Sequence, residues 1–146
     1  MQSKKVIKRA GDGHWLNVLG MKMNFLCNPD DTNKQYSCAL ISVPLDRGTP
    51  PHKHPWDETF YVLKGDIEFM LEGEQHQLTE GDYVLIPADH VHSFRGLSED
   101  EGLILGFDVP SHSQDFFQEI NDTVTDLPED LDKMPDIGRR HQVTLY

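Results

Sequence analysis

The sequence predicts an all-β protein whose short strands form a closed or sandwiched fold. Runs of β-prone residues recur about every eight to ten positions over most of the chain, a spacing typical of barrels and sandwiches. Several of these runs alternate apolar and polar residues, as half-buried strands do. Glycine-containing turns separate them, and no helix-patterned stretch lies between neighbouring runs until the C-terminal part of the chain. The pattern therefore favours an all-β fold over alternating β and α units.

Length and charge limit the class of protein. The 146 residues, 37% of them hydrophobic, fit one domain with one core over residues 1–146. A net charge of -12 argues against nucleic acid as a partner, because phosphates require clustered Lys and Arg. No apolar run is long enough for a membrane span or a signal peptide. We therefore expect a cytoplasmic protein with no membrane partner, in which Cys27 and Cys38 stay reduced thiols although a hairpin could pair them.

The first predicted strands lead to a loop that ends at a histidine. Residues 15–19 and 21–27 favour short strands interrupted by a glycine, and the second alternates apolar and polar residues. Turn-forming residues then fill 29–33, and a third strand is expected over 36–43. Residues 44–51 form the loop that delivers the chain to His52.

The middle of the chain continues with strands joined by tight turns. Gly65 with Asp66, between two β-patterned runs, is a hairpin signal, and Gly73 with Glu74 marks another turn. The remaining predicted strands cover residues 60–63, 67–71, 76–78, 83–86, 92–95 and 103–109. Together with the first three they would supply both layers of a sandwich or a closed barrel.

The character of the sequence changes after Pro110. Ser113 can cap a helix over residues 114–120, whose apolar residues fall on one side at helical spacing. The acidic, proline-bearing stretch 123–136 is expected to be a surface connection, and residues 137–141 a final helical turn. A short helical tail therefore follows the predicted β core.

Three side chains that can bind metals are concentrated in one short segment. Side chains two residues apart in an extended strand leave the same face, so His52 and His54 would project together. Glu58 has the same parity and follows the bend at Pro55, which allows the three groups to converge. A fourth candidate, His92, follows the strand over 83–86.

These residues and their spacing resemble the two sequence motifs of the cupin superfamily. The matching positions are His52, His54, Glu58 and Gly65 in the first motif, and Gly81, Pro87 and His92 in the second. The resemblance implies a cupin double-stranded β-helix, a jelly-roll barrel over about residues 14–109, with a C-terminal helical extension over about 111–146. Asp89 stands where the second motif has a glycine, and aspartate tolerates the left-handed backbone expected there.

The resemblance also implies a metal site and a function. His52, His54, Glu58 and His92 would bind one divalent transition metal ion per chain, and this ligand set suits Fe, Mn, Ni, Cu or Zn. The opening residues and the tail are similar to those of small quercetin 2,3-dioxygenase-like cupins of bacteria. That similarity implies a dioxygenase acting on an aromatic or enol-bearing small molecule, with Glu58 also accepting the substrate proton. A homodimer, paired through the N-terminal strands, is expected by the same resemblance.

Two other functions stay open at this point. One barrel hosts many chemistries, so a cupin metalloenzyme of isomerase or lyase type is an alternative. The other is a non-catalytic small-molecule binding cupin, and the lack of a helix-turn-helix stretch argues against a DNA-linked sensor. Turnover without oxygen would favour the isomerase or lyase, and ligand binding unaffected by chelation would favour the binding protein.

The remaining histidines and the aromatic residues have less specific interpretations. His90 lies two residues before His92 and could support the metal site or cap the strand. Surface or packing roles are expected for His14, His76, His112 and His141. Aromatic residues could line a substrate pocket, but core packing is expected for Trp56, Phe60, Phe69, Tyr83, Phe94 and Phe107.

Overall fold

Two antiparallel β-sheets followed by two short helices make up the computed structural model, which describes residues 2–146. The strands are β1 (Trp15–Val18), β2 (Met21–Cys27), β3 (Ser37–Val43), β4 (His52–Lys53), β5 (Asp57–Lys64), β6 (Ile67–Leu71), β7 (Glu74–Leu78), β8 (Tyr83–Ile86), β9 (His92–Gly96), β10 (Gly102–Val109) and β11 (Thr144–Leu145). One sheet has the order β1-β2-β3-β10-β5-β8, and the other β11-β4-β9-β6-β7. The predicted all-β jelly-roll fold with a helical C-terminal tail is confirmed.

The core follows from the alternation of side chains along the strands. In β5, Phe60 and Val62 are buried while Tyr61 and Leu63 are exposed, as the period of two requires. Phe69 on β6 is fully buried, and its ring centroid lies 5.5 Å from that of Phe60. Burying a side chain of this size contributes roughly 1.5–3 kcal/mol, and truncating it to alanine would cost about 3–5 kcal/mol.

The turns that join the strands depend on a left-handed backbone at one position and on a close backbone approach at another. Asp89 has φ 65, the left-handed conformation expected for the residue that replaces the glycine of the motif. Gly48 allows the loop after β3 to approach β9, because a Cβ at this position would lie 1.8 Å from the carbonyl oxygen of Phe94. That approach also lets the Thr49 amide donate to the Phe94 carbonyl at 3.0 Å. The loop is therefore fixed against β9 just before it reaches His52.

The C-terminal segment, residues 111–146, differs in detail from the sequence prediction. Its helices are α1 (Gln114–Thr123) and α2 (Met134–Arg140), with a 3-10 turn at Glu129–Lys133 between them. The surface connection predicted over 123–136 is wrong in part, because Val124 and Met134 are buried against the core. The last helix begins at Met134 rather than at residue 137, since a proline is compatible with the first turn of a helix.

Two further expectations are corrected by the structure. Ser113 precedes α1 but makes no capping hydrogen bond, because its hydroxyl donates to the carboxylate of Asp108 instead. The strand predicted over 60–63 begins at Asp57 instead, so Glu58 lies inside β5 and not ahead of it. The last residues add strand β11, which the sequence did not predict, and β11 pairs with β4.

The N-terminal strands lie at one edge of the larger sheet and are covered by α1. The Asn17 amide donates to the side-chain oxygen of Asn121 in α1 at 2.8 Å. Cys27 and Cys38 are opposite each other in the β2–β3 register, and both are free. No helix within residues 2–146 combines the length and the apolar character needed to cross a membrane.

Candidate metal centre

The four predicted ligand residues come together at one end of the jelly roll. His52 lies on β4, His54 follows it, Glu58 lies on β5, and His92 begins β9. Each offers one ligand atom, and these four atoms all lie within 4.8 Å of one another. His54, Glu58 and His92 are buried, with exposed fractions of 4%, 8% and 1%. Within the described part of the chain, this is the one group of His, Cys, Asp or Glu residues with such a geometry.

Pairing on both sides fixes the two-residue strand that carries His52. On one side, β4 pairs with β9, with His52 opposite His92. On the other side it pairs with β11, where Leu145 lies opposite His52 and the Tyr146 amide donates to the Pro51 carbonyl at 3.0 Å. The last residues of the described chain therefore hold the backbone of the first ligand residue.

Backbone carbonyl groups orient all three imidazoles in the same way. The Nδ1 atoms of His52, His54 and His92 lie 2.8, 3.0 and 2.8 Å from the carbonyl oxygens of Pro50, Trp56 and His90. A carbonyl oxygen can only accept a hydrogen bond, so each Nδ1 carries a proton and donates it. Nε2 is then the nitrogen that offers its lone pair to a metal ion, and in His54 and His92 this requires loss of the proton that Nε2 donates to Glu58.

The carboxylate of Glu58 connects two of the imidazoles. Its Oε2 atom lies 3.1 Å from Nε2 of His54 and 3.0 Å from Nε2 of His92. Burial would raise the pKa of Glu58, but the hydrogen bonds from these two histidines outweigh it and hold the pKa below its usual range. Glu58 is therefore anionic at neutral pH and can offer a carboxylate oxygen to a metal ion.

The two histidines on paired strands differ in their proton affinity. Burial is the main cause that lowers the pKa of His52 to about 4, and the neighbouring His92 lowers it further. Burial would also lower the pKa of His92, but the hydrogen bond with Glu58, the charge of Glu58 and smaller contributions from the His90 carbonyl and Glu72 together outweigh it, and the pKa is raised. His52 is neutral at physiological pH, as a metal ligand must be.

The donor set fits a divalent first-row transition metal ion. Three imidazole nitrogens and one carboxylate oxygen suit Fe, Mn, Ni, Cu or Zn. Ligand atoms about 2.1 Å from an ion lie about 3 Å apart when they are adjacent in an octahedron. The observed separations of 3.0 and 3.1 Å between Glu58 and its two histidines agree with that spacing. Four ligands would leave two octahedral positions for other groups.

His90 contributes to this site through its backbone and not through its ring. The side chain is exposed, and its Nδ1 atom lies 3.1 Å from the Ala88 carbonyl oxygen. The carbonyl of His90 accepts the hydrogen bond from His92 described above. The sequence left open whether His90 supports the metal site or caps the strand. In the structure its imidazole lies outside the ligand cluster.

Asp108 is a buried acid beside the cluster that the sequence analysis missed. It lies on β10 directly opposite Glu58 in the β5–β10 register and contacts that carboxylate. The Ser37 hydroxyl donates to it at 3.2 Å, and Ser113 donates to it as well. Burial, and then the charge of Glu58, raise the pKa of Asp108 well above its usual range. Its parity could have revealed it, because it shares the inward face of β10 with Ile104.

A small apolar cavity lies beside the cluster. Its volume is about 30 Å³, and His52 and Glu58 form part of its wall. The barrel contributes Val18, Leu19, Met21, Met23, Ile41, Thr49, Pro50, Phe60 and Phe94. The C-terminal segment contributes Phe116, Phe117, Ile120, Met134, Val143 and Leu145. Any molecule that reaches the cluster from this side meets a largely apolar surface.

The aromatic residues occupy different environments in the structure. Phe60, Phe69 and Phe94 are all buried in the core, as expected, and Phe60 and Phe94 also line the cavity. The Trp56 ring stacks on the ring of His54, with centroids 4.1 Å apart. Phe107 is half-buried beside Tyr36. Core packing is wrong for Tyr83, which is 59% exposed because it lies on the outward face of β8.

The other histidines lie away from the cluster. The ring of His112 stacks on that of Trp56, and the Nε2 atom of His141 lies 2.5 Å from a Glu119 oxygen. His14 is exposed, and His76 lies on β7 with its Nε2 atom 3.8 Å from a Glu74 oxygen. They occupy surface or packing positions, as the sequence analysis expected.

Comparisons with known proteins agree with this geometry. A family model described as Cupin domain matches residues 39–108. The chain is 36% identical over 117 residues to quercetin 2,3-dioxygenase of Bacillus subtilis strain 168, which covers 80% of the chain and 34% of that protein. It is 35% identical over 57 residues to dimethylsulfoniopropionate lyase DddQ of Ruegeria pomeroyi, covering 38% of the chain and 28% of the lyase. The chain thus matches about a third of the length of these two relatives.

A solved structure shows the same fold at lower sequence identity. The RmlC-like cupin from Shewanella frigidimarina superposes with a TM-score of 0.67 at 20% identity. The match covers 80% of this chain and 99% of that chain. At this level of identity the likeness concerns the fold.

Proposed function

The chain belongs to the cupin superfamily, and from this premise we propose that it is a metal-dependent dioxygenase acting on an aromatic or enol-bearing small molecule. The observation that carries the proposal is the buried cluster of three histidines and one glutamate beside an apolar cavity. The similarity to quercetin 2,3-dioxygenase supports the oxygenase chemistry. We also propose a single domain over residues 1–146 that works as a homodimer in the cytoplasm.

In this proposal His52, His54, Glu58 and His92 hold one divalent ion through the atoms that the structure brings together. The bound metal would supply Lewis-acid activation of the substrate oxygen and of dioxygen. The backbone carbonyls keep the three Nε2 atoms directed at the ion, so the protein does not have to reorganise when the ion binds. The donor set leaves the choice among Fe, Mn, Ni, Cu and Zn open.

Glu58 has a second role in the proposed reaction, as the base that accepts the substrate proton. It is anionic at neutral pH and forms part of the cavity wall, where an incoming hydroxyl group would meet it. Loss of the hydroxyl proton would raise the electron density of the substrate. The apolar side chains of Phe60 and Phe94 exclude water from the same space.

Oxygen incorporation tests the proposed reaction directly. Protein loaded separately with iron, manganese or nickel would be mixed with enol-bearing aromatic compounds under ¹⁸O₂, and the products analysed by mass spectrometry. A dioxygenase places both labelled atoms in the product, and the same mixture is inert without oxygen. Glu58→Gln should lose turnover even in samples that are fully loaded with metal. Products without the label, with any compound and metal tested, would contradict the proposal.

A lyase or isomerase is the second candidate, and the similarity to DddQ is the observation that favours it. Such an enzyme would use the same four ligands to polarise a substrate without consuming oxygen. Turnover of a substrate under strict anaerobiosis distinguishes this candidate from a dioxygenase. Ligand binding that survives complete removal of metal, with no turnover under either atmosphere, would indicate a binding protein.

Homodimer formation is tested separately from the chemistry. Light scattering on a size-exclusion column measures the mass of the assembly in solution. A mass of twice the 16.7 kDa chain is the expected result, and a mass of one chain would contradict the proposed dimer.

A further inference from the structure

We propose that the C-terminal segment, residues 111–146, is the wall that determines specificity at the metal cavity. It would select a ligand whose body is small, apolar and uncharged, with one polar end directed at the cluster. This inference rests on the proposed function only in placing the ligand beside the four metal ligands. The argument depends on the composition, charge and size of the cavity.

The polar and the apolar residues of the cavity wall would contact different ends of a ligand. The polar residues of the wall are Thr49, His52 and Glu58, and they all belong to the barrel. Every residue that the C-terminal segment contributes is apolar, and these are Phe116, Phe117, Ile120, Met134, Val143 and Leu145. A ligand whose polar end meets the cluster therefore places its other end against side chains that make no hydrogen bonds.

Charge makes this division selective. The chain has 13 Lys and Arg residues, and none of them lines the cavity. The one acidic side chain in the wall is Glu58. A carboxylate at the far end of a ligand would be buried without a cationic partner, which is costly. An uncharged alkyl or aryl group would avoid this cost, and its binding would be favoured by the removal of its apolar surface from water.

The size of the cavity shows which part of the protein has to adjust. A volume of about 30 Å³ has room for one or two water molecules, whereas a cavity of about 150 Å³ is known to hold benzene. The strands of the barrel are fixed by continuous ladders, but α1 contacts β1 through apolar packing and the hydrogen bond between Asn17 and Asn121. Outward displacement of α1 and α2 would therefore open the cavity, and the lining side chains of the two helices would move, whereas Leu145 is held by the pairing of β11 with β4.

Two phenols that differ in charge only at the far end test the proposal. They are 4-ethylphenol and 3-(4-hydroxyphenyl)propanoate, in which a carboxylate replaces one hydrogen of the terminal methyl group. Each would be titrated into the full chain loaded with zinc, which has no redox chemistry and so supports binding without oxidation. Because the phenol head is the same, any difference in affinity reports the surroundings of the tail.

Methionine methyl groups provide the readout. Met21, Met23 and Met134 line the cavity, whereas Met70 on β6 lies outside it. With ¹³C-methyl labelling, 4-ethylphenol should shift the resonances of the three lining methionines and leave that of Met70 unchanged. Its affinity should exceed that of the propanoate by about tenfold or more, corresponding to an energy difference of about 1.4 kcal/mol. Equal affinities, or no shift at the lining methionines with either compound, would overturn the proposal.

A cation introduced into the wall should reverse the preference. Leu145 lines the cavity and is half-buried, so Leu145→Arg would place a guanidinium within reach of the carboxylate tail. The matched control is Thr144→Arg, because the neighbouring Thr144 is exposed and lies outside the cavity wall. We expect Leu145→Arg to bind the propanoate more tightly than 4-ethylphenol, and Thr144→Arg to keep the preference of the parent.

A second substitution keeps the test decisive if Leu145→Arg does not fold. Phe117→Arg changes another half-buried residue of the wall, in α1 rather than in β11, and should also favour the propanoate. Unchanged preference in both folded arginine variants would contradict the proposal. Selective binding by the zinc protein without oxygen incorporation by any metal form would remove the dioxygenase and retain the specificity wall. Labelled product without selective binding would retain the dioxygenase and remove the specificity wall.

Discussion

Two regions of the molecule face the same cavity and are built by different physical means. The ligand cluster is polar, and each imidazole is fixed by a hydrogen bond to a backbone carbonyl. The C-terminal segment presents apolar side chains to the cavity and is tied together mainly by packing and by exposed ion pairs such as Glu119 with Arg140. The comparison suggests a division of roles, in which a rigid barrel positions the chemistry and a separate, adjustable layer determines which molecule approaches it.

The largest expected effect comes from removing a ligand. His92→Ala should weaken zinc binding by about a thousandfold, because it removes one of four donors, each contributing several kcal/mol. His90→Ala is the matched control, since its exposed ring lies two residues away and outside the cluster. Competition with a chromophoric chelator measures both affinities. Equal losses of zinc affinity in the two variants would contradict the placement of His92 inside the cluster and of the His90 ring outside it.

A smaller effect is expected where the two regions touch. Deleting residues 143–146 removes β11, which holds the backbone of His52, so zinc affinity should fall by about 10–100-fold. Tyr146→Ala retains the backbone hydrogen bond to Pro51 and should bind zinc like the parent. If the shortened chain folds and keeps the parent affinity, β11 does not position His52.

Packing changes within the C-terminal segment should leave the cluster unaffected. Ile120 on α1 is 1% exposed, so Ile120→Val should lower the free energy of unfolding by about 0.5–1.5 kcal/mol. Gln118→Val adds the same side chain at an exposed position of the same helix and should change it by less than about 0.5 kcal/mol. Urea denaturation measures the stability, and chelator competition should show the same zinc affinity for all three proteins. A marked loss of zinc affinity in Ile120→Val would contradict the division of roles.

The smallest effect concerns the ion pairs that join α1 to α2. Hydrogen bonds from Arg140 and then His141 lower the pKa of Glu119 below its usual range. A carboxyl with a lowered pKa in the folded state stabilises the fold above its unfolded pKa of about 4.3, and the contribution disappears as the pH falls through the folded value. Because the pair is exposed, Glu119→Gln should cost less than about 1 kcal/mol at pH 7.

Urea denaturation of Glu119→Gln and the parent at several pH values checks this sign. The difference between their free energies of unfolding should shrink below about pH 4.3. A difference that grows as the pH falls would show that Glu119 does not act as an ionised partner of Arg140 and His141.

Local patterns explain why the ligand cluster could be predicted from the sequence. The parity of His52, His54 and Glu58 is a local pattern, whereas His92 was assigned through the resemblance to the second cupin motif, and strand pairing brings the four residues together. The left-handed conformation of Asp89 was predictable for the same reason, since it depends on one residue and its turn. In these cases the chain near each residue already determines its conformation.

Features that depend on distant parts of the chain were missed. Ser113 has the right position for a helix cap, but the buried acid Asp108 offers its hydroxyl a stronger partner. The acidic stretch before α2 suggested a surface connection, yet Met134 within it is buried against the core. Strand β11 is two residues long and exists because β4 has a free edge, which no periodicity in the sequence reveals.

X-ray absorption at the zinc edge of the loaded protein tests the central claim most directly. The four residues should give a first shell of three imidazole nitrogens and one carboxylate oxygen at about 2.0–2.2 Å. The imidazole count should fall to two in His92→Ala, in samples prepared with excess zinc, and stay at three in His90→Ala. A sulfur ligand in the first shell, or three imidazoles remaining in His92→Ala, would contradict the assignment of His52, His54, Glu58 and His92 to one metal ion.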